Sequence, residues 1–485
     1  RVRRAPAARS VLRRRAYHRG MDAMHAALAD LAGLDPGLEV GRLRIVGGDD
    51  PVHPTPFRLG AAASAAIGGA ALAAAALWQR RGGEPQQVEV ELRRAAASLT
   101  SFLWLRLGDA PYPAPQGEVP TMAIYRGADG RWIHLHGALP HLRDGTLALL
   151  GCEDRAASIA AAVARWPAFE LEEALAAAGQ CGAVLRSAAE WAVHPQGLAL
   201  AGVPLVELRR IGDAPRRAVA PAARPLAGLR VLDLTRILAG PTCARTLAEH
   251  GAEVLRLVAP RQQDIPSFVP DTSHGKRVAW LDLDERGADA SLRQLVAGCD
   301  VFSQGYRGGA LAARGFGTEA LARLRPGIVC VSINAYGHDG PWVARRGWEQ
   351  LAQACTGVAL EHCGLGVAAE TRPAVIPAAP SDYCSGHLAA LGAMLALRRQ
   401  VEEGGSWEVR VSLARTAQWI RGLGRVPAVA RPQPPTPQEI ARWSTTRETP
   451  WGRLGYLAPV AQMSRTPAEW ALPSVPPGTD PPRWA

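Results

Sequence analysis

Two stretches combine residue types that could do chemistry. The first is Ser381-Asp-Tyr-Cys-Ser-Gly-His387, which follows a proline-rich run at 373–380 and enters a helical pattern at 383–400. Asp382 is ionised at neutral pH, and the adjacent helix amides are able to steady an oxyanion. The same place equally suits a carboxylate that only caps the helix. The second stretch is Pro225-Leu-Ala-Gly-Leu-Arg-Val-Leu-Asp-Leu-Thr-Arg-Ile-Leu-Ala-Gly-Pro241. It reads as a buried strand at 229–234, a turn at 235–241, and a helix opened by Gly240-Pro241. Gly251 ends that helix and 252–257 returns as a strand. A βαβ opening of this kind presents helix N-terminal amides to an anion.

The elements that must position these residues alternate after a Pro/Ala/Arg linker at 215–225. Strand patterns at 278–283, 301–304 and 328–333 are separated by helical stretches at 287–297 and 310–324, which predicts a doubly wound α/β sheet. The helix at 383–400 then leads through Gly404-Gly405 to a strand at 409–413. Ahead of the linker, 21–44 has helical spacing, 59–80 is an alanine-rich helix, 88–92 alternates like a strand, and 124–135 carries a hairpin turn at Ala128-Asp-Gly130. Residues 155–190 read as mainly helical, and those beyond 425 as a Pro-rich tail with scattered Trp.

A repeat links the two halves. Ala76-Leu-Trp-Gln-Arg-Arg-Gly-Gly-Glu-Pro-Gln-Gln-Val-Glu-Val-Glu-Leu92 is similar to Ala396-Leu-Arg-Arg-Gln-Val-Glu-Glu-Gly-Gly-Ser-Trp-Glu-Val-Arg-Val-Ser-Leu413. Each is a helix end, a glycine turn and a strand running into another helix. Between Asp50 and Glu84 there is no Asp or Glu, so the first copy has no carboxylate where the second has Asp382.

The 485 residues carry a net charge of +11, but eight arginines and no acid lie in residues 1–20, leaving +3 for the rest. The basicity is therefore local. A nucleic-acid arm or targeting segment would account for it; the reading adopted is an extension ahead of a true start at Met21. No nucleic-acid partner is expected. Among 55 basic residues Lys276 is the one lysine. The eight cysteines, at 152, 181, 243, 299, 330, 355, 363 and 384, form no CxxC pair and no Cys/His zinc spacing, so no metal is expected and reduced thiols point to a cytoplasmic protein. The apolar run at 59–78 is Ala- and Gly-rich, as in a close-packed helix rather than a membrane span.

The run 226–257 resembles the opening of class III CoA-transferases (the CaiB/BaiF family). So do His274-Gly-Lys-Arg277 before Leu281-Asp-Leu283, Gln304-Gly-Tyr-Arg-Gly-Gly-Ala-Leu311, Tyr336-Gly-His-Asp-Gly-Pro341, Gly347-Trp-Glu-Gln-Leu-Ala-Gln353 and the Asp382 motif, in the family's order across 225–415. Tyr125-Arg-Gly-Ala-Asp-Gly-Arg-Trp132 and Glu190-Trp-Ala-Val-His-Pro195 resemble segments that normally follow that domain. The chain thus looks like a fused or rearranged member with a partial copy in front.

The resemblance implies a Rossmann-like CoA-binding domain at 226–415, a smaller α+β domain at 106–214, a partial repeat at 21–105, a tail at 416–485, and long linkers. It implies that Asp382 attacks an acyl-CoA thioester, and that Arg236, Leu238, Ala239, Arg261, Lys276, Arg277, Gln304, Tyr306 and Arg307 bind CoA as substrate, with no permanently bound cofactor. It further implies a carboxylate acceptor and an interlocked homodimer, unless the front copy supplies in cis what a partner would. Racemases of this fold carry His where Trp348 stands, which weighs against that activity, although His387 could in principle substitute. An inactive CoA-binding protein is the third reading.

Overall fold

A computed structural model describes residues 23–113 and 119–485; the basic run 1–20 lies outside the described residues. The principal sheet has seven strands: β1 (Glu207–Gly212), β2 (Arg230–Leu234), β3 (Glu253–Val258), β4 (Lys276–Trp280), β5 (Val301–Gln304), β6 (Val329–Asn334) and β7 (Ser406–Ser412). Their spatial order is β4-β3-β2-β5-β6-β7-β1. All neighbours are parallel except β7 and β1. From β2 to β7 this is the doubly wound order, which reverses between β2 and β5 and opens a crevice there. The expected α/β class is the one the chain adopts.

Four helices place the site. They are α1 (Leu59–Arg80), α2 (Ala239–Glu249), α3 (Glu349–Cys355) and α4 (Pro380–Glu402). Helix α4 lies against α2 and α1 in the main core. By length and composition α1 could cross a membrane, but it is enclosed by protein. Its alanines and glycines permit this burial, since small side chains let neighbouring elements approach closely.

The smaller domain pairs Ile124–Arg126, Trp132–Leu135 and Gly182–Val184 in one antiparallel sheet, with helices Pro140–Leu150, Ala156–Val163 and Ala168–Ala177 beside it. Gly182–Val184 interrupts the stretch 155–190 expected as helical; its small residues fit a short buried strand. Two other boundaries shift. β1 falls within 106–214 yet hydrogen-bonds to β7 of the large sheet. Residues 416–485 contribute Ser444–Thr449 and Gly452–Leu457, which join Arg106–Leu107 and Ala110–Pro111 in a sheet. Gln462–Met463 joins a second sheet with Val88–Glu91 and Leu43–Val46. These strands are short and locally patterned like loops, so only their partners reveal them.

Candidate active site

Glycine and helix geometry build the first wall. β2 ends at Leu234, and α2 opens five residues later. A Cβ on Gly240 would lie 2.2 Å from that of Thr235, so only glycine lets the helix start this close to the strand end. The loop between is pinned from below. Asp233 accepts from the Thr235 amide at 2.9 Å and from its hydroxyl. Lys276 donates to Asp233 Oδ2 at 2.9 Å and to the Pro241 carbonyl at 2.8 Å. Within this fixed loop Ile237 is held at φ 71°, a left-handed conformation that a β-branched residue avoids unless its surroundings enforce it.

A cavity of about 690 Å³ opens above that loop. Residues after β2, β3, β5 and β6 line it, so it sits over the carboxyl ends of the strands at the switch point. Residues 345–348 close one side and Leu139–Leu142 of the smaller domain another; Asp382 lies on the lining.

Asp382 is the third residue of α4, not a loop residue, and the cap position is Ala379 with no side-chain cap bond. The capping role is thereby excluded. The Asp382 amide donates to Glu349 Oε2 at 2.6 Å, and Gln353 Nε2 holds Glu349 Oε1 at 2.8 Å. Gln353 Oε1 in turn accepts from the Ile376 amide at 2.8 Å, which ties α3 to the segment entering α4. Burial, and next the negative charge of Glu349, hold the Asp382 carboxyl well above the usual carboxylate range. Burial also raises Glu349. Two enclosed carboxylates this close compete to be the ionised one.

If Asp382 acts as an ionised nucleophile, kcat/KM falls on acidification at a pH above the ordinary carboxylate range, because its carboxyl is held well above that range. Glu349→Gln keeps an acceptor for the Asp382 amide but removes the charge, so the acid limb moves to lower pH. A pH profile of both proteins measures this; an unmoved limb would show that Asp382 does not feel Glu349.

The expected CoA contacts divide. Arg236, Leu238, Ala239, Arg261, Tyr306 and Arg307 line the cavity. Arg236 is already paired with Asp264, and Arg261 with Asp282 and Asp284. Arg307 has no ion pair among the described residues. Burial raises the Tyr306 phenol above its ordinary pKa.

Three expected contacts lie elsewhere. Lys276 and Arg277 begin β4, so they enter the sheet at its amino end, away from the crevice. Lys276 is enclosed with Asp233, both side chains fully buried. Arg277 lies against Asp480 and Glu253 and donates to the Arg483 carbonyl at 2.9 Å. Gln304 does not line the cavity. Its amide donates to Ser332 Oγ at 2.6 Å and accepts from the Tyr306 amide at 2.8 Å, which shapes the turn that presents Tyr306.

Several lining residues escaped the sequence reading, Arg346 and His141 among them. Arg346 precedes the Gly347-Trp-Glu motif by one position and has no ion pair among the described residues; burial and then Arg307 lower its pKa. His141 belongs to the smaller domain, far away in sequence, and carries no local signal. Trp348 lines the cavity and stacks on His136 at 4.3 Å between ring centres. His387, the substitute base, is turned to Thr246 Oγ1 at 3.0 Å and is not on the cavity lining.

The sequence profile of CoA-transferase family III matches residues 18–221 and again 226–446. The chain belongs to CoA-transferase family III. The first match includes the Leu139–Leu142 wall, and the second includes Asp382. Among family relatives, the chain is 34% identical over 327 residues to acetyl-coenzyme A transferase nodX of Hypoxylon pulicicidum, covering 62% of this chain and 54% of the relative. It is 36% identical over 316 residues to an acyl-CoA transferase of Gibberella moniliformis, covering 60% and 55%. It is 35% identical over 186 residues to succinyl-CoA:glutarate CoA-transferase of Homo sapiens, covering 36% and 41%. The chain spans about half the length of the curated relatives it matches. A CaiB/BaiF family protein from Brucella suis is 26% identical, with a TM-score of 0.36 over 40% of this chain and 54% of that one.

Proposed function

We propose that the protein transfers CoA between an acyl-CoA and a free carboxylic acid, with Asp382 as nucleophile. The observation that carries this reading is the placement of Asp382 in the first turn of α4, on the lining of a cavity at the sheet's switch point, where it caps nothing. Cytoplasmic acyl-CoA metabolism is the matching setting.

The chemistry balances without a proton. An Asp382 oxygen attacks the thioester carbonyl, the C–S bond breaks, and CoA leaves as thiolate from a mixed anhydride. The thiolate attacks the Asp382 carbonyl and releases the first acid as carboxylate, leaving an aspartyl-CoA thioester. An acceptor carboxylate attacks that thioester and displaces the thiolate, giving a second anhydride. The thiolate then takes the acceptor's acyl group and restores Asp382. Each adduct is activated toward the next step, which is what a carboxylate nucleophile supplies. Burial raises the energy of ionised Asp382 and so favours the neutral acylated form over the resting carboxylate.

The cations serve the ends of CoA. Arg307 and Arg346 have no carboxylate partner among the described residues and suit phosphate oxygens, while Arg236 and Arg261 are held in place by their aspartates. Tyr306 offers a flat surface for the base. Leu238 and Ala239 form apolar contacts beside the thioester, and the α2 amides face the same space.

The test is a screen of acyl-CoA donors against carboxylate acceptors, scored by the new acyl-CoA and by deuterium exchange at the α-carbon. Transfer without α-exchange supports the proposal. Exchange without transfer would favour a racemase, and CoA binding with neither would leave an inactive binder.

A further inference from the structure

The chain repeats one unit twice, and the two copies meet as two subunits would. Helix α1 of the first matched segment lies beside α4 of the second. A Cβ on Gly69 would sit 3.4 Å from a Leu391 methyl, and Arg80 reaches Glu402 at 2.5 Å, further along both helices in the same direction. The pair is therefore parallel and in register, with equivalent positions of the repeat level with one another.

Edge strands are exchanged reciprocally. β1, within the first matched segment, pairs antiparallel with β7 of the second. Gln462–Met463, which follows the second matched segment, pairs antiparallel with Val88–Glu91 of the first. Val88–Glu91 and β7 are the equivalent strands after the glycine turn of the repeat. Each also has a parallel neighbour on its other side, Leu43–Val46 and β6 respectively.

The helix starts are likewise paired, with one difference. In α4 the amide of the third residue, Asp382, donates to Glu349. In α1 the amide of the third residue, Ala61, donates to Asp50 Oδ2 at 3.0 Å, and Gly60 donates to Asp50 Oδ1 at 2.8 Å. The buttressing carboxylate persists in the first copy, but alanine stands where the nucleophile would be, and Asp50 itself occupies the amides. That position is sealed.

We infer that the first copy is a built-in partner subunit: it completes the Asp382 cavity within the same chain, through Leu139–Leu142, and has no working site of its own. Each chain then carries one site and needs no second copy of itself, in place of the homodimer that the family resemblance implies. The single-site arm rests on the transferase reading; the arrangement of the copies does not.

Two experiments separate these. Lys276 is the sole lysine and is enclosed, so Arg80→Lys adds one reactive side-chain amine opposite Glu402. Carbodiimide treatment of the full chain is expected to join positions 80 and 402 inside a monomer band. A covalent dimer joined at these positions, or no coupling between them, overturns the inference whatever the activity. In the second, Asp382→Ala and His141→Glu chains are co-expressed with different tags. Each alone is expected to be inactive, and the mixture as well, because both lesions damage a site made within one chain. Activity restored in the mixture, up to about a quarter of the wild-type level from random pairing, would show sites shared between chains.

Discussion

Asp382→Ala lowers kcat by about 10⁴-fold or more and leaves CoA affinity within a few-fold of wild type. The size follows from losing the proposed nucleophile, since removing the group assigned to the covalent adduct leaves only binding and oxyanion stabilisation. The selectivity follows from geometry. Asp382 contributes its amide, not its carboxylate, to the Glu349 bond, and alanine retains that amide. Alanine also removes a carboxyl group that burial and Glu349 disfavour when ionised, so the variant is expected to unfold no more readily than wild type. Steady-state kinetics and calorimetric titration with CoA check both halves. A variant that retains turnover would displace Asp382 from the mechanism.

Lys276→Met costs about 3–5 kcal/mol of stability, the range for removing one partner of a buried ion pair. The methionine fills much of the volume, but Asp233 is left enclosed without its cation. The Pro241 carbonyl loses its donor as well, and the loop holding Thr235 and Ile237 loses its anchor. Chemical denaturation should show the loss, together with weaker CoA binding. Loss of CoA affinity at unchanged stability would instead make Lys276 a direct ligand contact.

In the first half the helix at 59–80, the strand at 88–92 and the hairpin within 124–135 were legible, and in the second half the strands β2 to β7 of the large sheet were. Apolar runs bounded by glycines marked β2 to β7 within a few residues, because strands buried on both faces must be continuous and hydrophobic. The motif put Asp382 in a loop just before a helix, and its actual depth in the first turn of α4 was not legible. Lys276 was misread because its rarity drew attention while its position at the amino end of a strand did not. Rarity says nothing about which end of a sheet a residue reaches. Arg277 failed for the same reason. Gln304 directly precedes the lining residue Gly305, and its bonds to Ser332 and Tyr306 show that it shapes the rim rather than forming it. Arg346 and His141 were missed because their place on the lining that Asp382 shares is made by tertiary packing. The exchanged edge strands are short and depend on partners hundreds of residues away, so no local pattern announces them.

The most direct test of the central claim is rapid quenching of the protein with an acyl-CoA, followed by peptide mass spectrometry. The account predicts an acyl or CoA adduct on the peptide containing Asp382, lost on hydroxylamine treatment and absent from Asp382→Ala. Turnover with no adduct at Asp382, or an adduct on another residue, would contradict it.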